Sequence, residues 1–122
     1  YLRQAVKPLK FGDVCLLKFP FTDGVQAKKR PAVLLSADSD GDGVFLRITT
    51  QLDSGDSSVI LKSWQECGLL APSCIKLNKF ATLHLDLVDR KLGSLSEEDS
   101  NNLYEALQAW ARQLHGPGSS QS

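Results

Sequence analysis

Short apolar runs alternate with polar, glycine-containing stretches along most of the chain, and this pattern is typical of a small β-rich domain. Strands are predicted at residues 14–19, 32–35, 44–50, 58–61, 73–77 and 80–83, whereas the pattern at 87–92 is ambiguous. The run 32–35 is apolar at every position and is therefore expected at the centre of a sheet. A single helical turn is predicted at 64–70, because Pro72 would end it.

The last predicted element is an amphipathic helix of about residues 97–114. Ser96 is suited to cap its N-terminus, because Asp99 follows three residues later and acidic side chains fill the first turn. Apolar residues then recur at helical spacing at Leu103, Leu107, Trp110 and Leu114. Several short strands and one terminal helix, without βαβ alternation, predict a mainly β fold: a small antiparallel barrel with one C-terminal α-helix.

The length of 122 residues is that of one domain. We expect a loose N-terminal arm at 1–10, the domain at 11–115 and a disordered tail at 116–122. No apolar run is long enough to span a membrane and no signal peptide opens the chain. Cys15, Cys67 and Cys74 cannot all pair and lack metal-ligand spacing, which indicates reduced apolar fillers of a cytoplasmic protein.

The charge is zero overall but unevenly distributed along the chain. Residues 1–30 carry seven Lys or Arg and two Asp, a net charge of +5, and the remainder carries −5. Zero net charge argues against a nucleic-acid binder, whereas the asymmetry indicates one basic face.

The cationic stretch Lys28, Lys29 and Arg30 runs directly into Pro31 and the apolar strand after it. Proline restricts the residue before it to extended conformations, so Arg30 would be held at the mouth of a strand, where its planar donor fork suits a phosphate. An alternative interpretation is a solvated hairpin loop. Thr49, Thr50 and Gln51 end the third predicted strand and are either β-formers or ligands for a phosphate and a base edge.

Two other stretches contain side chains that could bind a metal ion or act as a general base. The spacing of Asp38, Asp40 and Asp42 matches the first ligand positions of an EF-hand calcium loop. Thr49, however, occupies the twelfth position, where a glutamate is required. An acidic hairpin turn is therefore predicted there. His84, with Asp86 two residues later, is either a general base or an ordinary surface histidine.

Several motifs in order resemble the MazF/PemK-like toxin family across roughly residues 11–114. They are G-D-V (12–14), F-P-F-T-D (19–23), K-R-P-A-V-L-L-S (29–36), I-T-T-Q (48–51), G-L-x-x-P-S-x-I (68–75) and L-G-S-L-S-E-E-D (92–99). The resemblance implies an SH3-like barrel that forms a homodimer. It also implies metal-independent, sequence-specific cleavage of single-stranded RNA, without a cofactor, by attack of a 2′-OH that leaves a 2′,3′-cyclic phosphate and a 5′-OH.

The resemblance also assigns residues and partners. The functional arginine of the family falls on Arg30, the functional threonine on Thr49, and the glutamine beside it on Gln51. RNA contacts are expected from Lys28, Lys29, Thr50 and Gln51. No metal ligands are expected. A cognate antitoxin is expected in the RNA groove, and the complex would bind its own promoter DNA.

The fifth predicted strand departs from the family pattern. Asn78 stands where some members carry an acid that serves as general base, and Lys79 and Ala81 replace a glutamine and a basic residue. Lys76 matches a basic residue found before that acid, so Lys76, Asn78 and Lys79 are candidates for catalysis or phosphate binding. Two alternatives follow: a catalytically weakened homodimer that binds RNA or an antitoxin, and a gyrase-poisoning toxin on the same fold.

Overall fold

The computed structural model describes residues 9–19, 28–52 and 57–114. Most of the expected arm at 1–10, the expected tail at 116–122, and parts of the two loops that follow the first and third strands lie outside the described residues. Six strands are assigned: β1 (Asp13–Phe19), β2 (Lys28–Ala37), β3 (Asp42–Thr49), β4 (Ser58–Ile60), β5 (Cys74–His84) and β6 (Val88–Ser94). A 3₁₀ turn (Leu85–Leu87) separates β5 from β6, and helix α1 (Glu97–Arg112) follows.

The strands form one antiparallel sheet in the order β4-β5-β3-β2-β1-β6. Strands β1, β2 and β3 pair in sequence order, β5 lies between β3 and β4, and β6 returns to pair with β1. The predicted mainly β fold with one C-terminal helix is therefore confirmed. Ser96 caps α1 as predicted, because its Oγ accepts a hydrogen bond of 3.1 Å from the backbone N–H of Asp99. The helix ends at Arg112, two residues before the predicted end.

Three local predictions differ from the structure, and one ambiguous segment is now assigned. Residues 28–30 belong to β2 and not to a loop, because they continue its pairing with β1. The ambiguous segment 87–92 lies largely within β6, and 64–70 forms successive i→i+3 turns without an assigned helix. The two strands predicted at 73–77 and 80–83 are one strand, β5, which pairs with β3 in two blocks. Its irregular part between Ile75 and Phe80 contains the polar residues that suggested a break.

Side chains on the two faces of the sheet fill two cores. The helix-side core contains Val14, Val33, Leu46, Ile48, Ile75 and Leu103 among others, and the apolar stripe of α1 packs against it. The second core contains Cys15, Leu17, Ala32, Leu34 and Phe45, and the 3₁₀ turn and β6 contribute side chains to its edge. Alternating residues of β1 and β2 thus enter opposite cores, as strand geometry requires.

Two fully buried carboxylates fix the segments around the sheet. Asp99 accepts hydrogen bonds from the backbone N–H groups of Lys62 (3.0 Å) and Ser63 (2.9 Å), which ties the segment after β4 to α1. Asp13 accepts from Lys10 N (2.9 Å) and Ser94 Oγ (3.0 Å), and Lys91 Nζ lies 3.3 Å from it. Burial opposes ionisation of Asp13, but these hydrogen bonds and the Lys91 charge outweigh it, so the pKa of Asp13 lies below its usual value.

Candidate active site

A cleft of about 410 Å³ lies where the start of β2 meets the end of β3. Its wall is completed by β6 and by the turn after β4. The lining residues are Leu16, Arg30, Pro31, Arg47, Ile48, Thr49, Thr50, Gly68, Leu69, Leu70, Ala71, Ser73, Arg90 and Leu92. Successive residues of a strand point to opposite faces, so a cleft lined by 47–50 extends around the end of β3.

Arg30 and Thr49, the two predicted catalytic residues, both line this cleft. The antiparallel register of β2 and β3 explains why. Ala32 lies opposite Arg47, and continuing this register by two residues brings Arg30 across from Thr49. Both side chains are half-buried, so they are held by the sheet while remaining open to a ligand.

The Thr49 hydroxyl is oriented by its own chain. The backbone N–H of Gln51 donates a hydrogen bond of 3.1 Å to Thr49 Oγ1, which is a turn of the type that Ser and Thr side chains favour. A hydroxyl has one proton to donate and two lone pairs to accept with. The contact with Gln51 uses one lone pair and leaves the proton of Thr49 for a bound oxygen.

Sequence reasoning missed two further arginines of the cleft, Arg47 and Arg90. Within residues 9–19, 28–52 and 57–114, no carboxylate lies within ion-pair distance of either arginine or of Arg30. The lining residues carry three guanidinium groups and no acidic side chain. Such a site attracts a multiply charged anion such as a nucleic-acid backbone.

A signal for Arg47 was present in the sequence, because it precedes Thr49 by two residues and therefore shares its strand face. No comparable signal existed for Arg90. It lies in the segment whose pattern was ambiguous, and its position depends on pairing with β1, which is distant in sequence.

The opposite wall of the cleft is apolar and depends on glycine. Gly68 has a φ of +79°, and a Cβ at this position would lie 2.3 Å from the backbone oxygen of Leu92. The close approach of this turn to β6 sets Leu69 and Leu70 along the cleft. Leu70 is 97% exposed, so the rim presents an unburied apolar side chain beside the cationic wall.

The remaining predicted RNA-binding residues lie at or near the cleft. Thr50 lines it, and Gln51 is exposed directly beyond. Lys28 and Lys29 are exposed at the start of β2, where Lys29 Nζ lies 3.5 Å from a carboxylate oxygen of Asp89.

The candidates on β5 do not line the cleft. Lys76 is half-buried, pairs with β4 and donates a hydrogen bond of 3.3 Å to Ser58 Oγ. Asn78 and Lys79 are exposed in the irregular part of β5. The structure therefore brings Arg30, Thr49 and Thr50 together and leaves these three residues outside.

The other sequence candidates have structural environments of their own. Asp38 Oδ1 accepts hydrogen bonds of 3.0 Å from the N–H groups of Asp40 and Asp42, as in a side-chain-stabilised hairpin turn. His84 Nδ1 accepts from Asp86 N (3.1 Å) at the far end of β5. No group of three or more potential metal ligands occurs among the described residues.

All three cysteines are buried and unpaired. Burial raises the pKa of the Cys15 and Cys67 thiols to about 11, so neither is a ready nucleophile. In the described part of the chain, no helix is long and apolar enough to cross a membrane.

Comparison with known proteins identifies the family. A family model described as the PemK-like, MazF-like toxin of type II toxin–antitoxin systems matches residues 10–111. Since this match covers most of the chain, the protein belongs to the PemK/MazF-like toxin family, and the resemblance seen in the sequence is confirmed. No match to a curated protein sequence reaches significance.

Solved structures share the fold. An endoribonuclease from a mycobacterial species has a TM-score of 0.68 at 19% identity, covering 93% of this chain and 100% of that chain. A mycobacterial endoribonuclease in complex with its cognate antitoxin has a TM-score of 0.66 at 23% identity, covering 91% and 100%. MazE–MazF from Deinococcus radiodurans has a TM-score of 0.70 at 16% identity, covering 87% and 97%. At these identities the likeness establishes the fold.

Proposed function

We propose that this toxin-family protein is a sequence-specific endoribonuclease that cleaves single-stranded RNA without a metal ion. The observation that carries the proposal is the placement of Arg30 and Thr49 in one cleft whose lining residues include two more arginines and no acid. RNA contains its own nucleophile, the ribose 2′-OH, so the protein has to stabilise charge and move protons, and it need not activate a water molecule.

The reaction begins with attack of a 2′-oxygen on the adjacent phosphorus. A base takes the 2′ proton, the P–O2′ bond forms, the P–O5′ bond breaks and the leaving O5′ takes a proton. The products are a 2′,3′-cyclic phosphate and a 5′-OH end. Arg30 stabilises the charge on the pentavalent intermediate, and Thr49 donates its hydroxyl proton to a phosphate oxygen. Loss of one such donor slows comparable reactions by about 10²–10³-fold.

The surrounding polar residues bind the rest of the strand. Thr50 and Gln51 contact base edges, which are accessible in single-stranded RNA. Lys28 and Lys29 contact phosphates beyond the cleft at the start of β2. Lys76, Asn78 and Lys79 do not line the cleft, so their proposed role is to bind phosphates of the RNA outside it.

The proposed partners follow from the family. The protein forms a cytoplasmic homodimer, and a cognate antitoxin neutralises it by occupying the RNA cleft. The toxin–antitoxin complex binds its own promoter DNA. Support for an antitoxin comes from the fold shared with a mycobacterial endoribonuclease in complex with its cognate antitoxin.

One observation favours a second candidate function, a catalytically weakened homodimer that binds RNA or an antitoxin. Among the residues that line the described cleft there is no histidine, lysine or carboxylate to act as general base. An amide at Asn78 does not accept a proton near neutral pH, so the position of the family's acid does not supply one either.

Cleavage of a long single-stranded RNA in EDTA, with mapping of the 5′ ends, tests the proposal. We expect discrete cuts at one short sequence from the wild-type protein and from Arg112→Ala, a control arginine exposed on α1. The Arg30→Ala variant should fold normally and leave the RNA uncut over the time in which the wild-type protein cleaves it. Intact RNA with the wild-type protein would favour the weakened dimer, and wild-type cleavage by folded Arg30→Ala would exclude the assigned role of Arg30.

A further inference from the structure

Strand β6 contains two β-bulges on either side of Arg90 and Lys91. Its pairing with β1 sets Val88 opposite Leu17 and Arg90 opposite Leu16, so Asp89 is an extra residue with no partner in β1. A second shift between Lys91 and Gly93 makes Leu92 the extra residue. Bulges bend a strand and redirect its side chains, and they are frequent beside active sites.

The bulge at Asp89 changes the face on which Arg90 lies. In a regular strand Val88 and Arg90 would share a face. Here Val88 packs against the second core beside Leu17, whereas Arg90 follows Leu16 into the cleft. Without the bulge, the guanidinium group of Arg90 would lie on the face of the second core.

The charged residues on either side of Arg90, Asp89 and Lys91, both form ion pairs. The Asp89 carboxylate lies 3.8 Å from Lys18 Nζ and 3.5 Å from Lys29 Nζ, which joins β6 to β1 and β2. Lys91 Nζ lies 3.3 Å from the buried Asp13 carboxylate. Arg90 has no ion-pair partner among the described residues and is exposed at the cleft wall. It is therefore available to an external anion.

Arg90 also stands apart from the Arg30–Thr49 pair. Arg90, Leu16 and Pro31 form one row across β6, β1 and β2. Adjacent strands are about 4.8 Å apart, so the backbone of Arg90 lies roughly 10 Å from that of β2. Arg90 lies opposite Leu16, whereas Arg30 lies opposite Leu17, so the two side chains leave opposite faces of the sheet and reach one cleft where it extends around the sheet. Their guanidinium groups are therefore suited to different phosphates of the same strand.

We propose that Arg90 is a substrate-binding residue that holds an RNA phosphate next to the scissile one. This role rests on the proposed function of the cleft, but it concerns binding and can be tested separately from cleavage. The double bulge of β6 is the structural device that delivers it, and Arg90 thereby fixes which phosphate of the strand reaches Arg30.

The test measures the salt dependence of binding to a labelled single-stranded RNA of mixed sequence. The RNA carries 2′-O-methyl groups so that it is not cleaved. For single strands, the slope of log Kobs against log salt changes by about 0.7 for each phosphate contact. We expect Arg90→Gln to reduce the slope by about that amount, Arg90→Lys to retain it, and Arg112→Gln to match the wild type.

The outcomes separate the two proposals. A normal slope for folded Arg90→Gln, or no RNA binding by the wild-type protein, would overturn the role of Arg90. A reduced slope with no cleavage of unmodified RNA would support the phosphate site and contradict the endoribonuclease proposal. Cleavage by the wild-type protein together with a normal slope for Arg90→Gln would support the endoribonuclease proposal and exclude the phosphate site at Arg90.

Discussion

On the β2–β3 side of the cleft, regular strand pairing places Arg30, Arg47 and Thr49. On the β6 side, two bulges and a close glycine contact place Arg90 and the apolar rim. The first side depends on alternation within neighbouring strands and is readable in the sequence. The second depends on contacts between distant segments, so small backbone changes there should alter the cleft without touching Arg30.

The largest stability effect is expected from Gly68→Ala. The positive φ costs about 1–2 kcal/mol for a residue with a Cβ, and overpacking against the Leu92 backbone adds about 1–3 kcal/mol. Gly41→Ala is the matched control, because its φ is +91° but its nearest contact is the movable His84 side chain at 3.1 Å. Urea denaturation should show a clearly smaller loss of unfolding free energy for Gly41→Ala, and equal losses would contradict the close-contact explanation.

A smaller, pH-dependent effect is expected from Asp13→Asn, which removes the ion pair that holds Lys91 between the bulges. The folded pKa of Asp13 lies below the reference value of 3.8. Its ionisation therefore stabilises the fold above that pH, and this contribution is lost as the pH falls through the folded pKa.

Urea midpoints of the wild type and Asp13→Asn should accordingly differ near neutral pH and converge below pH 3.8. Glu105→Gln, at an exposed position of α1, serves as the control and should track the wild type. A gap between Asp13→Asn and the wild type that does not change with pH would show that the charge of Asp13 is not what matters.

The smallest effects, on the cleavage rate, are expected from Lys76 and Lys79, which lie outside both walls of the cleft. Lys76→Ala and Lys79→Ala should change the cleavage rate by about threefold or less, because charges beyond the cleft are screened by salt. Initial rates at low and physiological salt would measure this. A loss comparable to that of Arg30→Ala would mean that β5 contributes directly to the chemistry and that the cleft described here is incomplete.

Much of the fold and part of the site could be predicted from the sequence. The capped helix follows from a local pattern, an N-cap with its acidic first turn. The Arg30–Thr49 assignment needed the family resemblance as well, because polar residues where apolar strands begin and end also fit a purely structural role. The single strand β5 was predicted as two, because the sequence shows the polar interruption at Asn78 and Lys79 but not the β3 pairing that resumes at Phe80. Arg90 could not be placed, because alternation alone assigns it the wrong face.

The central claim is that Arg30 and Thr49 form one catalytic unit, and a double-mutant cycle tests it most directly. Single-turnover cleavage of RNA in EDTA would be measured for the wild type, Arg30→Ala, Thr49→Val and the double variant. We expect each single change to slow cleavage by about 10²–10³-fold, and the double variant to be little slower than the slower single one. Losses that multiply, or no cleavage by the wild-type protein, would contradict the account.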